Sequence, residues 1–118
     1  MPRVLLADDD PAFRSRLEAL LALHVPDAEL VASVGDGHGA VAAALAHSPD
    51  VVVIDYAMPG PHGGHAAAVI QQALPATRIV VVSGVAADEL VDLPADVRLV
   101  RKGVSLEDEL VAALAPQG

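Results

Sequence analysis

The chain of 118 residues contains no cysteine, which excludes disulfides, thiolate metal sites and thiol nucleophiles. Any chemistry must therefore use carboxylates, hydroxyls, histidine or lysine. Tryptophan is also absent, and the aromatic residues are one phenylalanine and one tyrosine. Because alanine and valine are abundant instead, we expect a core of small, closely packed aliphatic side chains.

Long apolar runs are also missing, although 53% of the residues are hydrophobic. They come in runs of four or five, whereas a membrane span needs roughly 20 consecutive apolar residues. The amino-terminal segment, residues 1–7, meets acidic residues at once and does not have the pattern of a signal peptide. We therefore expect a soluble protein that does not bind membranes and is located in the cytoplasm.

Basic residues are scarce, with seven Lys and Arg against sixteen Asp and Glu and a net charge of -9. Such a surface repels phosphate backbones, so the composition disfavours direct binding to nucleic acid. A DNA-binding role would belong to another domain. The length is typical of a single domain, and we expect residues 1–118 to form one.

The apolar runs predict five β-strands, and four of the runs are rich in β-branched residues. Their near-continuous apolarity is typical of strands covered on both faces, as in a parallel sheet between helices. The predicted strands span residues 4–7, 30–34, 51–54, 79–82 and 97–100.

Helical patterns fill the gaps between these strands. The first has Asp10 as a candidate N-cap and Pro11 at its first position, and the last has Ser105 and Asp108 as a pair like a capping box. A weaker helix is predicted over residues 87–93. The apolar positions of the other four are Phe13, Leu17, Leu20 and Leu21; Val41, Ala44 and Leu45; Val69, Ile70, Ala73 and Leu74; and Leu106, Leu110 and Leu114. Five βα units with right-handed crossovers predict an α/β fold, a doubly wound parallel sheet.

Polar residues follow four of the five strands, at the carboxyl edge where such a sheet has its crevice. Asp8 and Asp9 follow the first strand, Asp55 the third, Ser83 the fourth and Lys102 the fifth. Three carboxylates close together repel one another unless a cation lies among them or some are protonated. Mg²⁺ prefers oxygen ligands and is the simplest such cation.

With a metal ion present, one carboxylate can attack a phosphoryl group to form an acyl phosphate. Asp55 is the candidate nucleophile. The ammonium of Lys102 and the hydroxyl of Ser83 are groups that stabilise the negative charge of the transferred phosphoryl.

These motifs together resemble the receiver domain of bacterial response regulators over essentially the whole chain. The sequences that carry the resemblance are LLADDDP at 5–11, DYAMPG at 55–60 followed by Gly63, Ser83-Gly84, and Lys102. The resemblance implies the flavodoxin-like (βα)5 fold, with strand order 2-1-3-4-5. The stretches at 58–60 and 74–78 are most similar to receivers that precede a helix-turn-helix output domain of the LuxR/NarL type.

For function, the resemblance implies that Asp55 accepts a phosphoryl group from a histidine kinase or phosphotransfer protein. Asp9 would bind Mg²⁺ directly, Asp8 mostly through water, and Ala57 through its backbone carbonyl. Ser83 and Lys102 would contact the phosphoryl oxygens. The phosphorylated chain would control an output domain or partner protein, with a homodimer as one possible form.

Several positions depart from the family's pattern. Leu99 stands where an aromatic switch residue is common, and Gly103 follows Lys102 in place of the usual proline. The segment from Ser83 to Lys102 is shorter than typical, which should trim the fourth helix. Ala57 and Val85 occupy positions where polar side chains of relatives orient the hydrolytic water, which predicts a long-lived phosphoryl group.

Two other functions remain open at this point. One is an enzyme that acts on small molecules through an aspartyl phosphate, although no cap domain is evident. The other is a pseudo-receiver, an interaction module that works without phosphorylation. His62 and His65 flank two glycines near Asp55 and could suggest a transition-metal pair, but we interpret them as surface residues.

Overall fold

Five strands and four helices make up the regular structure of the part of the chain that this computed structural model describes, residues 2–58, 63–84, 90, 93–94, 96–103 and 105–114. The strands are β1 (Arg3–Ala7), β2 (Glu29–Val34), β3 (Val51–Asp55), β4 (Arg78–Ser83) and β5 (Arg98–Arg101). The helices are α1 (Pro11–His24), α2 (Gly37–His47), α3 (Gly63–Ala73) and α4 (Leu106–Leu114). No helix within these described ranges has the length and apolarity to cross a membrane.

All five strands are parallel and lie in the order β2-β1-β3-β4-β5, which confirms the predicted doubly wound sheet. The register decides what meets at the carboxyl edge. Ala7 pairs with Ile54, so the next residues on the two strands, Asp8 and Asp55, leave the sheet side by side. Ser83, the last residue of β4, pairs with Arg101, the last residue of β5. Lys102 is therefore the first residue beyond the same edge of the sheet.

The core consists of two apolar clusters, one on each face of the sheet. Successive side chains of a strand point to opposite faces, so Val51 and Val53 of β3 join the cluster under α1 and α4. Val52 and Ile54 join the other cluster, under α2 and α3. All five residues of β3 are buried, and the four that precede Asp55 are apolar because they contact the core on both faces of the sheet.

Short polar side chains begin the first two helices. Asp10 caps α1, because its Oδ1 accepts hydrogen bonds from the amides of Ala12 at 3.0 Å and Phe13 at 3.4 Å. The predicted N-cap is thus confirmed. Asp36 caps α2 in the same way through the Gly39 amide, at 2.6 Å, and the sequence analysis did not identify this cap.

Some of the apolar positions that mark the predicted helices and strands are exposed or only half-buried. Leu45 is 54% exposed, because α2 contacts the sheet through Ala40 and Ala44, and the next residue along lies about 100° further round the helix. Ala73, at the end of α3, is exposed as well. The strand predicted to be covered on both faces at residues 30–34 is at most half-buried, because β2 is an edge strand.

The remaining differences concern boundaries and coverage. The last strand runs one residue later than predicted, over Arg98–Arg101. The last helix begins at Leu106, directly after Ser105. The weak helix predicted over residues 87–93 lies outside the described residues, apart from Leu90 and Leu93.

Candidate functional site

Three carboxylates meet at the carboxyl edge of the sheet. Asp8 and Asp9 follow β1, and Asp55 is the last residue of the neighbouring strand β3. One oxygen of each side chain lies within 4.8 Å of the others. Asp8 and Asp55 are 1% and 5% exposed, whereas Asp9 faces solvent. The cluster is therefore buried on one side and open on the other, which gives an ion or a phosphate a path of approach.

The two oxygens of the Asp8 carboxylate have different surroundings. Oδ1 accepts a hydrogen bond from the Asp10 amide at 2.8 Å. Oδ2 is buried and accepts no hydrogen bond from any residue that the structure describes. The backbone carbonyl of Asp8 is held separately by the Arg14 side chain at 2.7 Å. A buried carboxylate oxygen without a donor is costly, so the site favours a cation at this atom.

Lys102 brings a positive charge close to the carboxylates of Asp8 and Asp55. Its Nζ lies 3.4 Å from Oδ2 of Asp55 and 3.6 Å from Oδ2 of Asp8. The second distance makes an ion pair but is too long for a hydrogen bond. The Lys102 amide donates to the Ser83 carbonyl at 2.8 Å, which ties the segment after β5 to β4. Lys102 thus faces the carboxylates, while Arg101 is exposed.

Burial dominates the electrostatics of Asp55. Loss of solvent, followed by the negative charge of Asp8, raises the pKa of Asp55 above its ordinary value. Lys102 and a 3.3 Å hydrogen bond from the Ala57 amide lower that pKa and only partly offset the rise. Further positive charge nearby would therefore favour the ionised, nucleophilic form of Asp55.

A magnesium ion would supply that charge, and the donor set fits it. Mg²⁺ takes oxygen ligands and retains several waters, and the cluster offers three carboxylates, of which Asp9 faces solvent. Oδ2 of Asp8, the buried oxygen without a donor, is the observation that best supports the fit. Within the described part of the chain, no other group of three or more His, Cys, Asp or Glu side chains is arranged to hold a metal.

Two of the other candidate residues, Ser83 and Ala57, also lie at this edge. Ser83 ends β4 and is 5% exposed, and the residue before it, Val82, pairs with Asp55. Ala57 is exposed two residues beyond Asp55. Leu99 is 37% exposed on β5. Val85 and His62 lie outside the described residues, and His65 is exposed on α3.

Gly63 makes the closest backbone approach at the site. Its amide donates to the Tyr56 carbonyl at 2.6 Å. A Cβ at this position would lie 1.9 Å from the carbonyl oxygen of Asp55. The sequence motif included Gly63 but did not explain it; the reason is that α3 begins directly behind the backbone of Asp55.

A second contact that the sequence analysis missed is that of Phe13. Its ring centroid lies 4.3 Å from Nζ of Lys102. The sequence placed Phe13 on the apolar side of α1, which is correct in part, since it packs against the core cluster under α1 and α4. A signal was present, because a residue in the first turn after the acidic run must begin near the carboxyl edge.

Comparison with known proteins agrees with this geometry. The family described as response regulator receiver domain matches residues 4–104. "Protein-glutamate methylesterase/protein-glutamine glutaminase 3" of Myxococcus xanthus is 45% identical over 91 residues, which are 77% of this chain and 25% of that protein. "Probable transcriptional regulatory protein NarL" of Mycobacterium tuberculosis is 36% identical over 81 residues, which are 69% and 37% of the two chains.

Among solved structures, a DNA-binding response regulator of the LuxR family from Staphylococcus aureus superimposes with a TM-score of 0.83 at 26% identity, covering 97% of this chain and 96% of that one. The chain spans only a quarter to two fifths of the length of the two curated relatives. Since the family match extends from within β1 to beyond β5 and includes every residue of the acidic edge, the chain belongs to the receiver domains of two-component response regulators.

Proposed function

We propose that the chain is a phosphorylation switch, in which Asp55 accepts a phosphoryl group from the phosphohistidine of a histidine kinase or phosphotransfer protein. The observation that carries the proposal is the convergence of Asp8, Asp9 and Asp55 within 4.8 Å, with Lys102 3.4 Å from the Asp55 carboxylate. That arrangement concentrates negative charge and the one lysine of the chain at one nucleophile.

In the transfer, a carboxylate oxygen of Asp55 forms a bond to phosphorus as the bond from phosphorus to the donor's imidazole nitrogen breaks. The departing imidazole keeps the electron pair of that bond. The product is an acyl phosphate. The reaction changes only Asp55 of this chain, so apart from phosphoryl uptake and slow loss the domain has no enzymatic activity of its own in this proposal.

Asp8, Asp9, Asp55 and the carbonyl of Ala57 would hold Mg²⁺, which when bound neutralises the negative charge of the carboxylates and the incoming phosphoryl. Lys102 would pair with a phosphoryl oxygen, because its side chain is 31% exposed and its Nζ lies 3.4 Å from the Asp55 carboxylate. The Ser83 hydroxyl would donate to another phosphoryl oxygen. These groups act by electrostatic stabilisation, the main source of catalysis in phosphoryl transfer.

The aspartyl phosphate then favours one of two conformations that differ in affinity for a partner. The longer relatives suggest that this partner is an output domain, and NarL suggests that the output is control of transcription. Residues 1–118 would form the receiver domain, located in the cytoplasm where its phosphodonor is. Leu99 replaces the usual aromatic of the switch, so coupling to the output surface must use other side chains.

The phosphoryl group should be long-lived. Ala57 is exposed beside Asp55 and has no polar side-chain atom with which to orient an attacking water. The second such position, Val85, lies outside the described residues. Purified phosphoprotein in Mg²⁺ buffer would therefore keep its label for longer than a variant in which a polar residue replaces Ala57, such as Ala57→Asn.

The test is mass spectrometry and tyrosine fluorescence after addition of Mg²⁺ with acetyl phosphate or beryllofluoride. Tyr56 is the only tyrosine and the chain has no tryptophan, so the fluorescence reports on the residue after Asp55. We expect an acid-stable, base-labile gain of one phosphoryl group in the wild type and none in Asp55→Asn. Asp27→Asn is the control and should keep the gain, because Asp27 lies in the segment between α1 and β2, outside the acidic cluster. No modification of the wild type would instead favour a pseudo-receiver.

A further inference from the structure

Lys102 has a neighbour that the proposed function does not use. Its Nζ lies 4.3 Å from the centroid of the Phe13 ring, and a cation within about 6 Å of a ring centroid is attracted by the negative face of the π system. We propose that Phe13 is a positioning residue, which holds the Lys102 ammonium beside Asp55 and thereby sets the rate of phosphoryl uptake. This inference rests on the proposed function.

Lys102 needs such a support because its own contacts are loose. Its Nζ lies 3.4 Å from one carboxylate and 3.6 Å from the other, whereas strong charged hydrogen bonds are about 2.7–2.9 Å long. The side chain is 31% exposed, and a four-carbon stem has many rotamers to lose. Without a further contact, the ammonium would spend part of its time in solvent.

Phe13 can provide the contact because it is on a rigid element. Its backbone amide donates to Oδ1 of Asp10, the N-cap of α1, at 3.4 Å. The ring is half-buried and packs against the core cluster under α1 and α4. The acidic run therefore does two things: Asp8 and Asp9 face the site, and Asp10 fixes the start of the helix that carries the ring.

The chemical nature of the contact matters for catalysis. An aromatic face attracts the ammonium without neutralising its charge, so Lys102 can still pair with Asp55 and then with an incoming phosphoryl oxygen. A carboxylate at the same place would compete with Asp55 for the cation. An aliphatic side chain would fill the volume but give no attraction. Phe13→Leu therefore keeps most of the packing but removes the attraction for the ammonium, whereas Phe13→Tyr keeps both.

The first measurement is the rate of phosphoryl uptake from acetyl phosphate at saturating Mg²⁺. We expect Phe13→Leu to lower the rate about 3- to 10-fold, as the loss of one cation–π contact predicts, and Phe13→Tyr to stay within about twofold of the wild type. Leu21→Val is the matched control, because it removes one methylene from the same helix and the same core cluster but lies at the far end of α1. It should lower stability and leave the rate unchanged.

The second measurement reports the contact itself and needs no phosphorylation. Lys102 is the only lysine, so selective lysine labelling gives one set of side-chain NMR signals. We expect its Hε protons to show an upfield ring-current shift in the wild type and Phe13→Tyr, and none in Phe13→Leu.

The two readouts separate the possible failures. A wild type with the ring-current shift but no phosphoryl uptake would overturn the proposed function and leave the contact standing. A wild type without the shift would overturn the contact. Equal uptake rates in Phe13→Leu and the wild type, with the shift lost only in the variant, would overturn the positioning role.

Discussion

Replacing Gly63 with alanine should damage both the fold and the switch. The added Cβ would lie 1.9 Å from the carbonyl oxygen of Asp55 and 2.7 Å from both the Asp55 carbonyl carbon and the Tyr56 Cα. All three are backbone atoms, so no side chain can rotate away. Since ordinary contact begins near 3.4 Å, the start of α3 and the end of β3 must separate by about 1.5 Å.

The magnitude follows from the cost of overpacking. Forced insertion of a methyl group typically costs about 1–3 kcal/mol, and a clash with backbone alone belongs at the upper end. Alanine regains little helix propensity here, because Gly63 is the first residue of α3. A decrease of about 2–3 kcal/mol in the free energy of unfolding corresponds to a fall in Tm of roughly 8–12 °C for a domain of this size.

The assay is thermal unfolding without Mg²⁺, followed by phosphoryl uptake at a temperature where the variant is folded. Uptake should fall as well, because the strand that ends in Asp55 has moved. Gly84→Ala is the control, since no described atom lies within 4 Å of a Cβ built there. A Gly63→Ala protein with a Tm within about 2 °C of the wild type and normal uptake would refute the reasoning.

Four further predictions concern the acidic edge. Lys102→Ala should lower phosphoryl uptake about 100-fold, as removal of one preorganised charge does in other sites, and an uptake rate near that of the wild type would contradict it. At a Mg²⁺ concentration of about 100 times the Kd, the free energy of unfolding of the wild type should rise by about 2.7 kcal/mol, which raises Tm by roughly 11 °C. Asp8→Asn should show little of this rise in the same thermal scan. Asp10→Ala should lower Tm by about 4 °C through loss of the cap, about 1 kcal/mol, with the Mg²⁺ effect intact. Finally, burial and Asp8 raise the pKa of Asp55 above 3.8, so stability that is fully present below that value is lost as the pH rises through the folded-state pKa. The Asp55→Asn variant has no carboxylate at this position and lacks this loss, so the difference in free energy of unfolding between the variant and the wild type should shift in favour of the variant as the pH rises. Urea unfolding without Mg²⁺ between about pH 4 and pH 7 measures this difference. A difference that does not change with pH would refute the raised pKa of Asp55.

The fold and the composition of the edge could be predicted because they depend on local patterns. Apolar runs such as residues 51–54 identify buried strands, and right-handed crossovers limit their order. Once the order is given, residues that follow neighbouring strands must meet. The convergence of Asp8 with Asp55 needed no more information than this.

What the sequence did not reveal depends on angles and distances between elements. Leu45 is one of the apolar positions that mark the second helix, but the buried side chains of α2 are those of Ala40 and Ala44, and Leu45 is exposed. The contact between Phe13 and Lys102 joins α1 to the segment that follows β5, residues far apart in the sequence. The need for glycine at position 63 becomes clear only when the distance between α3 and the end of β3 is known.

The single lysine also decides how the protein can be handled chemically. Reagents directed at side-chain amines have one target, and it lies at 3.4 Å from the nucleophile. Amine coupling to a sensor chip, amine-reactive dyes or acetylation would therefore remove the charge on which the site depends in every molecule that is labelled on a side chain. Acetyl phosphate itself can acetylate amines, so a mass gain must be tested for base lability before it is assigned to Asp55. Because the chain has no cysteine, an introduced surface thiol gives a unique attachment point that leaves the acidic edge untouched.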